Sequence, residues 1–474
     1  MNPEEFRRLG HMVVDWIADY RARIAEYPVQ SHVGPGDIRA QLPPTPPDLP
    51  EPLEQILADM QQVIVPGLTH WQHPHFFGYF PANAELSGVL GDYLSTGLGV
   101  LGLAWQSSPA MTEVEEVVTD WMRQMLGLSA AWSGVIQESA STSTLVALLC
   151  ARERASDYAF ARGGLQSVPA PLVVYTSQQS HSSVAKAALL AGFGHEYVRA
   201  IATDAAYALD PQQLQAAIER DLAQGLRPCA IVATIGTTTT TALDPLEPIG
   251  ALAQQHGIWL HVDAAMTGSA MILPECRWMW AGIEQADTLV LNPHKWLGTP
   301  FDCSLYYVRD PQALIRVMST NPSYLQTAVD SHVKNLRDWG LPLGRRFRAL
   351  KLWCLIREQG VLALQARLRR DLANAQWLAD EIRATPHWQI LAPVPLQTLC
   401  VRHTPPILTD LAAIDAHTRA WVARINQSGA AYLTPAVLDD RWMVRVSIGA
   451  LTTEQPHVAH LWQVMQAAVA VADH

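Results

Sequence analysis

LVLNPHKW, residues Leu289–Trp296, is the segment of this 474-residue chain from which its architecture follows most directly. The apolar run Thr288–Leu291 predicts a buried strand, and the Asn-Pro dipeptide after it breaks regular structure. Lys295 therefore follows the carboxyl end of a strand, the edge at which open α/β sheets bind ligands. Most lysines in loops are solvated charges, but this one lies between an imidazole and an indole in a stretch with little charge. Partial desolvation of such a lysine suits covalent attachment to an aldehyde.

IWLHVDAA, residues Ile258–Ala265, repeats this pattern of a buried strand that ends at a polar residue. Asp263 closes the strand, 32 positions before Lys295. A carboxylate in this place is what a pyridine-type cofactor requires, because it pairs with the ring nitrogen and keeps it protonated while the lysine holds the aldehyde.

Strand, loop and helix patterns alternate from about Leu172 to Val308, which predicts a largely parallel sheet. The predicted strands are Leu172–Tyr175, Ala230–Thr234, Ile258–Val262, Thr288–Leu291 and Ser304–Val308. Helices are predicted at Ser87–Leu94, at Leu145–Arg154 and after Thr112, where TEVE is typical of a capping box.

The segments NPHKW and HVDAA together resemble the group II pyridoxal-phosphate decarboxylases, and among them the aromatic L-amino-acid decarboxylases most closely. The resemblance extends from Phe6 to about Glu454. It implies the type I fold of pyridoxal-phosphate enzymes (aspartate aminotransferase-like), with a mostly parallel central sheet flanked by helices and a small α+β C-terminal domain. We expect a helical segment at 1–85 that packs on a partner subunit, a large cofactor-binding domain at 86–360 and a small domain at 361–474. The implied assembly is a homodimer with its active sites at the subunit interface.

Composition excludes several classes of function. The net charge of −11 argues against a nucleic-acid partner. No apolar run approaches the ~18 residues of a membrane span, and the N-terminus lacks the apolar region of a signal peptide. The six cysteines form no CxxC pair, as is typical of reduced thiols. These features predict a cytoplasmic protein without nucleic-acid or membrane partners.

A cluster of small hydroxyl residues, Ser139–Thr144, precedes the helix predicted at Leu145. A helix N-terminus with such residues binds anions through free N–H groups, although the same residues also serve as helix caps. The resemblance implies that Ala140 and Ser141 hold the cofactor phosphate. Glu138 departs from the glycine common in the family, and because a carboxylate repels phosphate we expect it to point away.

The resemblance also assigns the remaining cofactor contacts. From its local sequence alone, His181 could simply be a helix-start residue. The resemblance implies that it stacks on one face of the pyridine ring, with Ala265 against the other. Further implied contacts come from Asn292 and His294, from Thr238 and Asp244 in the loop after a strand, and from the backbone of Gly344 of the partner subunit.

The polar segment Met318–Trp339 has the character of an active-site lid. A loop tyrosine is usually a surface residue, but the resemblance assigns Tyr324 to the lid tyrosine that protonates the substrate carbon. Tyrosine at this position predicts an amine product, whereas phenylalanine is typical of the aldehyde-forming members of the family. An aldehyde synthase on the same scaffold is therefore the alternative function.

An aromatic segment between Trp71 and Pro81 suits an aromatic substrate. The substrate-binding residues implied by the resemblance are Trp71, Tyr79, Phe80, Ala82, Leu101, Leu103 and Phe301. Ala82, Leu103 and Met266 replace threonine, phenylalanine and tyrosine of animal relatives, so DOPA, tyrosine, phenylalanine and tryptophan stay unranked. An acidic substrate would need an arginine at the distal end of the pocket, and there is none between Trp71 and Leu103.

Two further motifs do not support a second ligand. His70, His73 and His75 lack the cysteine or carboxylate that would complete a tetrahedral metal site, so no metal is predicted. The glycines of Gly97–Gly102 match GxGxxG but follow a predicted helix rather than a strand, which argues against a dinucleotide. A non-catalytic binding protein is the remaining alternative, and the intact Lys295 and Asp263 argue against it.

Overall fold

The computed structural model describes residues 1–320, 329–330 and 332–470. Its helices are α1 Pro3–Ala22, α2 Asp37–Gln41, α3 Leu53–Asp59, α4 Leu86–Leu98, α5 Pro109–Leu126, α6 Ala140–Ala155, α7 Ser182–Leu190, α8 Pro211–Ala223, α9 Leu246–His256, α10 Pro311–Met318, α11 Ala349–Ala384, α12 Leu411–Ser428 and α13 Gln455–Ala470. Its strands are β1 Ser133–Gln137, β2 Leu172–Ser177, β3 Val198–Ile201, β4 Arg227–Thr234, β5 Trp259–Asp263, β6 Thr288–Leu291, β7 Ser304–Val308, β8 Trp388–Ile390, β9 Thr398–His403, β10 Thr434–Leu438 and β11 Arg441–Ser447.

The larger of two sheets has seven strands in the order β1-β7-β6-β5-β4-β2-β3. Strands β3, β2, β4, β5 and β6 run parallel, while β7 and β1 are antiparallel to their neighbours. Every residue of β2, β5, β6 and β7 is buried. Helices cover both faces of such a sheet, which is why its strands are continuous apolar runs rather than alternating ones. The predicted, mostly parallel type I fold is confirmed.

The chain divides into two compact units. The large unit comprises Ala82–Leu372 and Ala392–Thr398, and the small unit comprises Met1–Pro81, Ala373–Leu391 and Leu399–His474. The predicted boundaries at residues 85 and 360 stay a prediction. In the small unit, the four-stranded sheet has the order β10-β11-β9-β8, with β10 antiparallel to β11 and β8 antiparallel to β9.

Two helix starts illustrate how proline places the N-terminus of a helix. Asn2 caps α1 by accepting a hydrogen bond from the Glu5 N–H (2.9 Å), and Pro3 is the first residue of the helix. The capping box predicted at Thr112 is wrong, because α5 begins at Pro109 and Ser108 is its N-cap. Proline fixes a helical φ and so starts the helix one turn earlier, which leaves Thr112 buried inside it.

The core of the large unit lies between the sheet and the helices α6 and α7. Its members include Val135, Val146, Leu148, Val174, Val184, Ala188, Val232 and Tyr306. All six cysteines are free thiols. Within the part of the chain that the structure describes, no helix is both long and apolar enough to cross a lipid bilayer.

Candidate active site

Asp263 and Lys295 follow neighbouring strand ends. β5 and β6 are parallel and adjacent, with Asp263 opposite Val290 in the register. After β6 the chain is tied to the end of β5, because the Asn292 N–H donates to the Ala265 carbonyl (2.8 Å). The Lys295 N–H then donates to the Asn292 carbonyl (2.9 Å). The predicted lysine and carboxylate thus lie at the same edge of the sheet.

His181 lies close enough to Asp263 and Lys295 for both charges to act on its ring. It is the N-cap of α7, and its Nδ1 accepts hydrogen bonds from the N–H (3.2 Å) and the hydroxyl (2.7 Å) of Ser183. Because a nitrogen that accepts a hydrogen bond carries no proton, the neutral ring is protonated at Nε2. Partial burial lowers the pKa of His181, the negative Asp263 opposes this shift and the positive Lys295 adds to it. Both charges therefore act on this ring, and His181 is at once a helix-start residue and a neighbour of the predicted catalytic pair.

Asn292 and His294, which belong to the predicted cofactor-binding residues, are hydrogen-bonded to the start of β7 and to the residue before it. The Ser304 hydroxyl donates to Asn292 Oδ1 (2.7 Å), and the Cys303 N–H donates to His294 Nδ1 (2.9 Å). Burial, together with the positive charge of Lys295, lowers the pKa of His294 to about 3. His294 is therefore neutral at pH 7, with its proton on Nε2. These bonds restrict the backbone on which Lys295 is carried.

Asp244 fixes the end of the strand next to Asp263. Its two carboxylate oxygens accept hydrogen bonds from the N–H groups of Leu209 (2.7 Å) and Thr234 (2.7 Å). Thr234 is the last residue of β4 and faces Asp263 in the register. Complete burial raises the pKa of Asp244 to about 7, although the two N–H donors favour the charged form. Asp244 thus supports the site through the backbone.

Thr238 and Ala265, the other cofactor residues predicted here, are half-buried. Thr238 lies in the turn that follows β4. The Ala265 N–H donates to Asp263 Oδ1 (3.0 Å), which orients that carboxylate. Asp263 itself is 5% exposed, so its charge is held in a poorly hydrated environment at the sheet edge.

The N-terminus of α6 lies directly after β1. The helix begins at Ala140, five residues before the predicted start, and its N-cap Ser139 accepts a hydrogen bond from the Thr142 N–H (3.2 Å). Ala140 and Ser141 are therefore its first two residues, whose N–H groups have no carbonyl partner within the helix. Glu138 forms an ion pair with Arg348 (3.4 Å), and this arginine also contacts Asp302 (3.1 Å).

The predicted substrate residues of the large unit are Ala82, Leu101, Leu103 and Phe301. Ala82 and Leu103 are half-buried, whereas Leu101 and Phe301 are exposed. Gly344 is also exposed, and a Cβ on it would lie 3.2 Å from Leu101 Cδ1. The Leu101–Leu103 segment is tied to this region, because the Gly102 N–H donates to the Arg345 carbonyl (3.0 Å).

The predicted substrate residues of the small unit are Trp71, Tyr79 and Phe80. The rings of Trp71 and Tyr79 are stacked, with centroids 5.4 Å apart. The Arg445 guanidinium lies over the Phe80 ring at 4.8 Å from its centroid, and burial lowers the pKa of Arg445 to about 10. Tyr324, the predicted proton donor, lies outside the described residues.

The histidines of the aromatic segment have structural partners. His73 Nδ1 accepts a hydrogen bond from the His75 N–H (2.9 Å), and the His75 Nδ1–H donates to the Ala430 carbonyl (3.1 Å). Burial lowers the pKa of both rings to about 4. Across residues 1–320, 329–330 and 332–470, no group of three or more potential ligands is arranged to hold a metal ion.

Sequence reasoning missed two supporting residues near the site. Glu115 in α5 accepts hydrogen bonds from Arg345 (2.6 Å) and from the Ile136 N–H (2.8 Å), and so braces the end of β1. Asp371 accepts a hydrogen bond from the Trp296 indole (2.9 Å), next to Lys295. Glu115 lies on the face of α5 that buries Met111 and Val118, and this placement of a charge on an apolar face is the signal that could have found it.

The chemistry of these groups fits pyridoxal phosphate. Lys295 offers an amine to an aldehyde, Asp263 a carboxylate to a ring nitrogen, and His181 a neutral imidazole to a ring face. The N-terminus of α6 offers N–H groups to a phosphate. The fold and this set of residues define a type I pyridoxal-phosphate enzyme.

Comparison with known proteins identifies the family. The model of the pyridoxal-dependent decarboxylase conserved domain matches residues 35–404, and the chain belongs to this family of carboxy-lyases, whose cofactor is pyridoxal phosphate. It is 40% identical to phenylacetaldehyde synthase of Arabidopsis thaliana over 98% of this chain and 96% of that protein. It is 39% identical to aromatic-L-amino-acid decarboxylase of Catharanthus roseus, over 98% and 94% of the two chains. The structure of Oryza sativa TDC with PLP and tryptamine superposes with a TM-score of 0.96 at 35% identity, covering 100% of this chain and 99% of that one.

Proposed function

We propose that this enzyme decarboxylates aromatic L-amino acids and releases the arylalkylamine and CO₂. The observation that carries the proposal is the convergence of Lys295, Asp263 and His181 at one edge of the sheet. Pyridoxal phosphate, when bound, supplies an acceptor for the electron pair left by the broken bond between Cα and the carboxylate.

The residues of the chain hold and orient this acceptor. Lys295 would bind the aldehyde carbon through its amine, and the α6 N-terminus, at Ala140 and Ser141, would bind the phosphate. Asp263 would hold a proton at the ring nitrogen by its charge, while His181 and Ala265 would lie against the ring. Neutral His294 accepts the Cys303 N–H and so helps to hold the backbone that carries Lys295.

The residues proposed to line the substrate pocket support a substrate with an aromatic side chain. The rings of Trp71 and Tyr79 are stacked and Phe80 follows Tyr79 in the chain, and the relatives include proteins named for aromatic amino acids and for phenylacetaldehyde. The test is a steady-state comparison of DOPA, tyrosine, phenylalanine and tryptophan with the product identified. Failure to release CO₂ from all four would overturn the proposal.

The product is the point on which two candidate functions differ. Tyr324 supports the amine, because a phenol can deliver a proton to Cα. The aldehyde, formed with O₂ and water and released with ammonia and hydrogen peroxide, is the second candidate, since one relative is a phenylacetaldehyde synthase. We expect amine without stoichiometric peroxide from the unmodified protein, and aldehyde with peroxide from Tyr324→Phe. Dominant aldehyde from the unmodified protein would refute the role of Tyr324.

We also infer a homodimer with active sites at the subunit interface. One face of α4 supports this inference, because its leucines recur every four residues and each is about half exposed. They are Leu86, Leu90, Leu94 and Leu98. Such a stripe needs a cover, and Leu101, Phe301 and Gly344 are exposed in the same unit. Leu90→Glu with Leu94→Glu should give a monomer in sedimentation analysis and abolish activity, whereas an active monomer would contradict the inference.

A further inference from the structure

Tyr79 has a backbone conformation that aromatic residues rarely adopt. Its φ is 49°, in the left-handed region where a Cβ is unfavourable. Such conformations cost free energy and persist only where the surrounding structure imposes them, often at ligand sites. The Tyr79 N–H donates to the Thr434 hydroxyl (2.7 Å), one of the contacts that fix this conformation.

A second tyrosine holds the Tyr79 side chain. The two hydroxyl oxygens of Tyr79 and Tyr432 are 3.0 Å apart, and their ring centroids are 5.7 Å apart. Trp71 also stacks on the Tyr79 ring, with an interplanar angle of 13°. Tyr79 is 46% exposed, so its neighbours orient it while part of the residue stays open to a ligand.

Tyr432 is itself fixed on the segment that precedes Tyr79. Its N–H donates to the His75 carbonyl (3.2 Å), and its carbonyl accepts from the Phe77 N–H (2.9 Å). Its ring stacks on Phe76, with centroids 5.5 Å apart. A Cβ on Gly78 would lie 2.3 Å from Tyr432 Cδ1. Glycine at 78 is therefore required for Tyr432 to lie this close to the chain.

We propose that Tyr432 determines the selectivity of this enzyme for substrate rings with a polar substituent, acting as a positioning residue through Tyr79. In a pair of phenols one hydroxyl donates to the other, which leaves one hydrogen and further lone pairs for a third polar group. A phenol, catechol or indole N–H of the substrate can join this pair, whereas an unsubstituted phenyl ring cannot. The inference rests on the proposed function, in which Tyr79 borders the substrate side chain.

The test compares tyrosine with phenylalanine as substrates of the holoenzyme. Tyr432→Phe removes the hydroxyl and keeps the ring that stacks on Phe76. We expect the ratio of kcat/KM for tyrosine over phenylalanine to fall about 3–10-fold, the range of one hydrogen bond. The change should lie mainly in KM for tyrosine, with kcat/KM for phenylalanine within about twofold. Tyr79→Phe removes the same pair from the other side, which matters if Tyr432→Phe folds poorly.

A variant with both tyrosines changed shows whether the two hydroxyls act as a pair or whether each substitution disturbs the structure independently. If the two hydroxyls act as a pair, Tyr79→Phe with Tyr432→Phe should lower the ratio no further than either single change. Additive losses, an unchanged ratio, or an equal loss for both substrates would each overturn the inference. These outcomes differ from failure of the proposed function, in which the unmodified enzyme would release CO₂ from none of the four aromatic amino acids.

Discussion

Two aspartates at opposite edges of the large sheet differ in what their oxygens bind. Asp287, before β6, accepts a hydrogen bond from the Leu260 N–H (2.8 Å) and is paired with Arg154 (2.7 Å), whose guanidinium lies over Trp259. Asp263, the last residue of β5, is oriented by the Ala265 N–H and acts electrostatically on His181. An acid whose oxygens are paired with an arginine and a backbone N–H of its own protein contributes to stability, whereas an acid held mainly by backbone at a sheet edge is available for chemistry.

The strongest test of this difference is Asp263→Asn. Without the negative charge the cofactor nitrogen loses its proton, so we expect kcat to fall about 10²–10⁴-fold, equivalent to several kcal/mol of barrier. The melting temperature should change little, because an asparagine oxygen still accepts from the Ala265 N–H. Steady-state kinetics and thermal unfolding on the same sample give both values. A large loss of stability with kcat retained would reverse the roles assigned to the two edges.

The pH dependence of the free energy of unfolding tests the role of His294, which lies at the same edge of the sheet as Asp263. Its pKa is lowered from 6.5 to about 3 in the folded protein, so the unfolded chain binds more protons as pH falls. Its contribution is complete above pH 6.5 and is lost progressively as pH falls toward 3. His294→Gln keeps an acceptor for the Cys303 N–H but cannot titrate. We expect the free energy of unfolding to fall less steeply from pH 6 to 4, by up to about 1.4 kcal/mol per pH unit. Parallel curves for the two proteins would contradict this.

A substitution of Asp287, at the opposite edge of the sheet, should lower stability and leave activity nearly unchanged. Asp287→Ala removes the acceptor of the Leu260 N–H and the partner of Arg154, and we expect a loss of about 1–2 kcal/mol in the free energy of unfolding. This range is modest because both side chains are about one-third exposed and therefore screened by water. Urea unfolding measures the loss, and kcat/KM should stay within about twofold of the unmodified enzyme. A tenfold decrease in kcat/KM would show that this edge also serves the reaction.

The fold and the positions of Asp263 and Lys295 could be predicted because both depend on local patterns. β6 and β7 have the predicted bounds, and Asp263 and Lys295 come at the ends of apolar runs that are typical of buried strands. The start of α6 was placed five residues late, because small hydroxyl residues are equally typical of loops and of a helix N-terminus. Local patterns cannot distinguish these two.

The supporting contacts could not be predicted, because they join residues far apart in the chain. Glu115 pairs with Arg345, and Tyr79 with Tyr432. Nothing near either residue indicates its partner, since tertiary packing alone brings them together. Gly78 gives the nearest hint, as a glycine in an aromatic segment suggests a close approach of another group.

Glu138, which follows β1, gives the smallest expected effect. It lies two residues before Ala140 and is paired with Arg348, which also binds Asp302. The arginine offsets most of its charge, so Glu138→Gln should tighten binding of pyridoxal phosphate to the apoenzyme by less than about fivefold. Fluorescence titration measures this affinity, and raising the salt concentration should reduce the difference because the carboxylate is partly exposed. Arg348→Gln is the matched control, since it leaves Glu138 uncompensated and should weaken binding more than Glu138→Gln strengthens it. Weaker binding by Glu138→Gln would mean that this carboxylate orders the loop rather than opposing the phosphate.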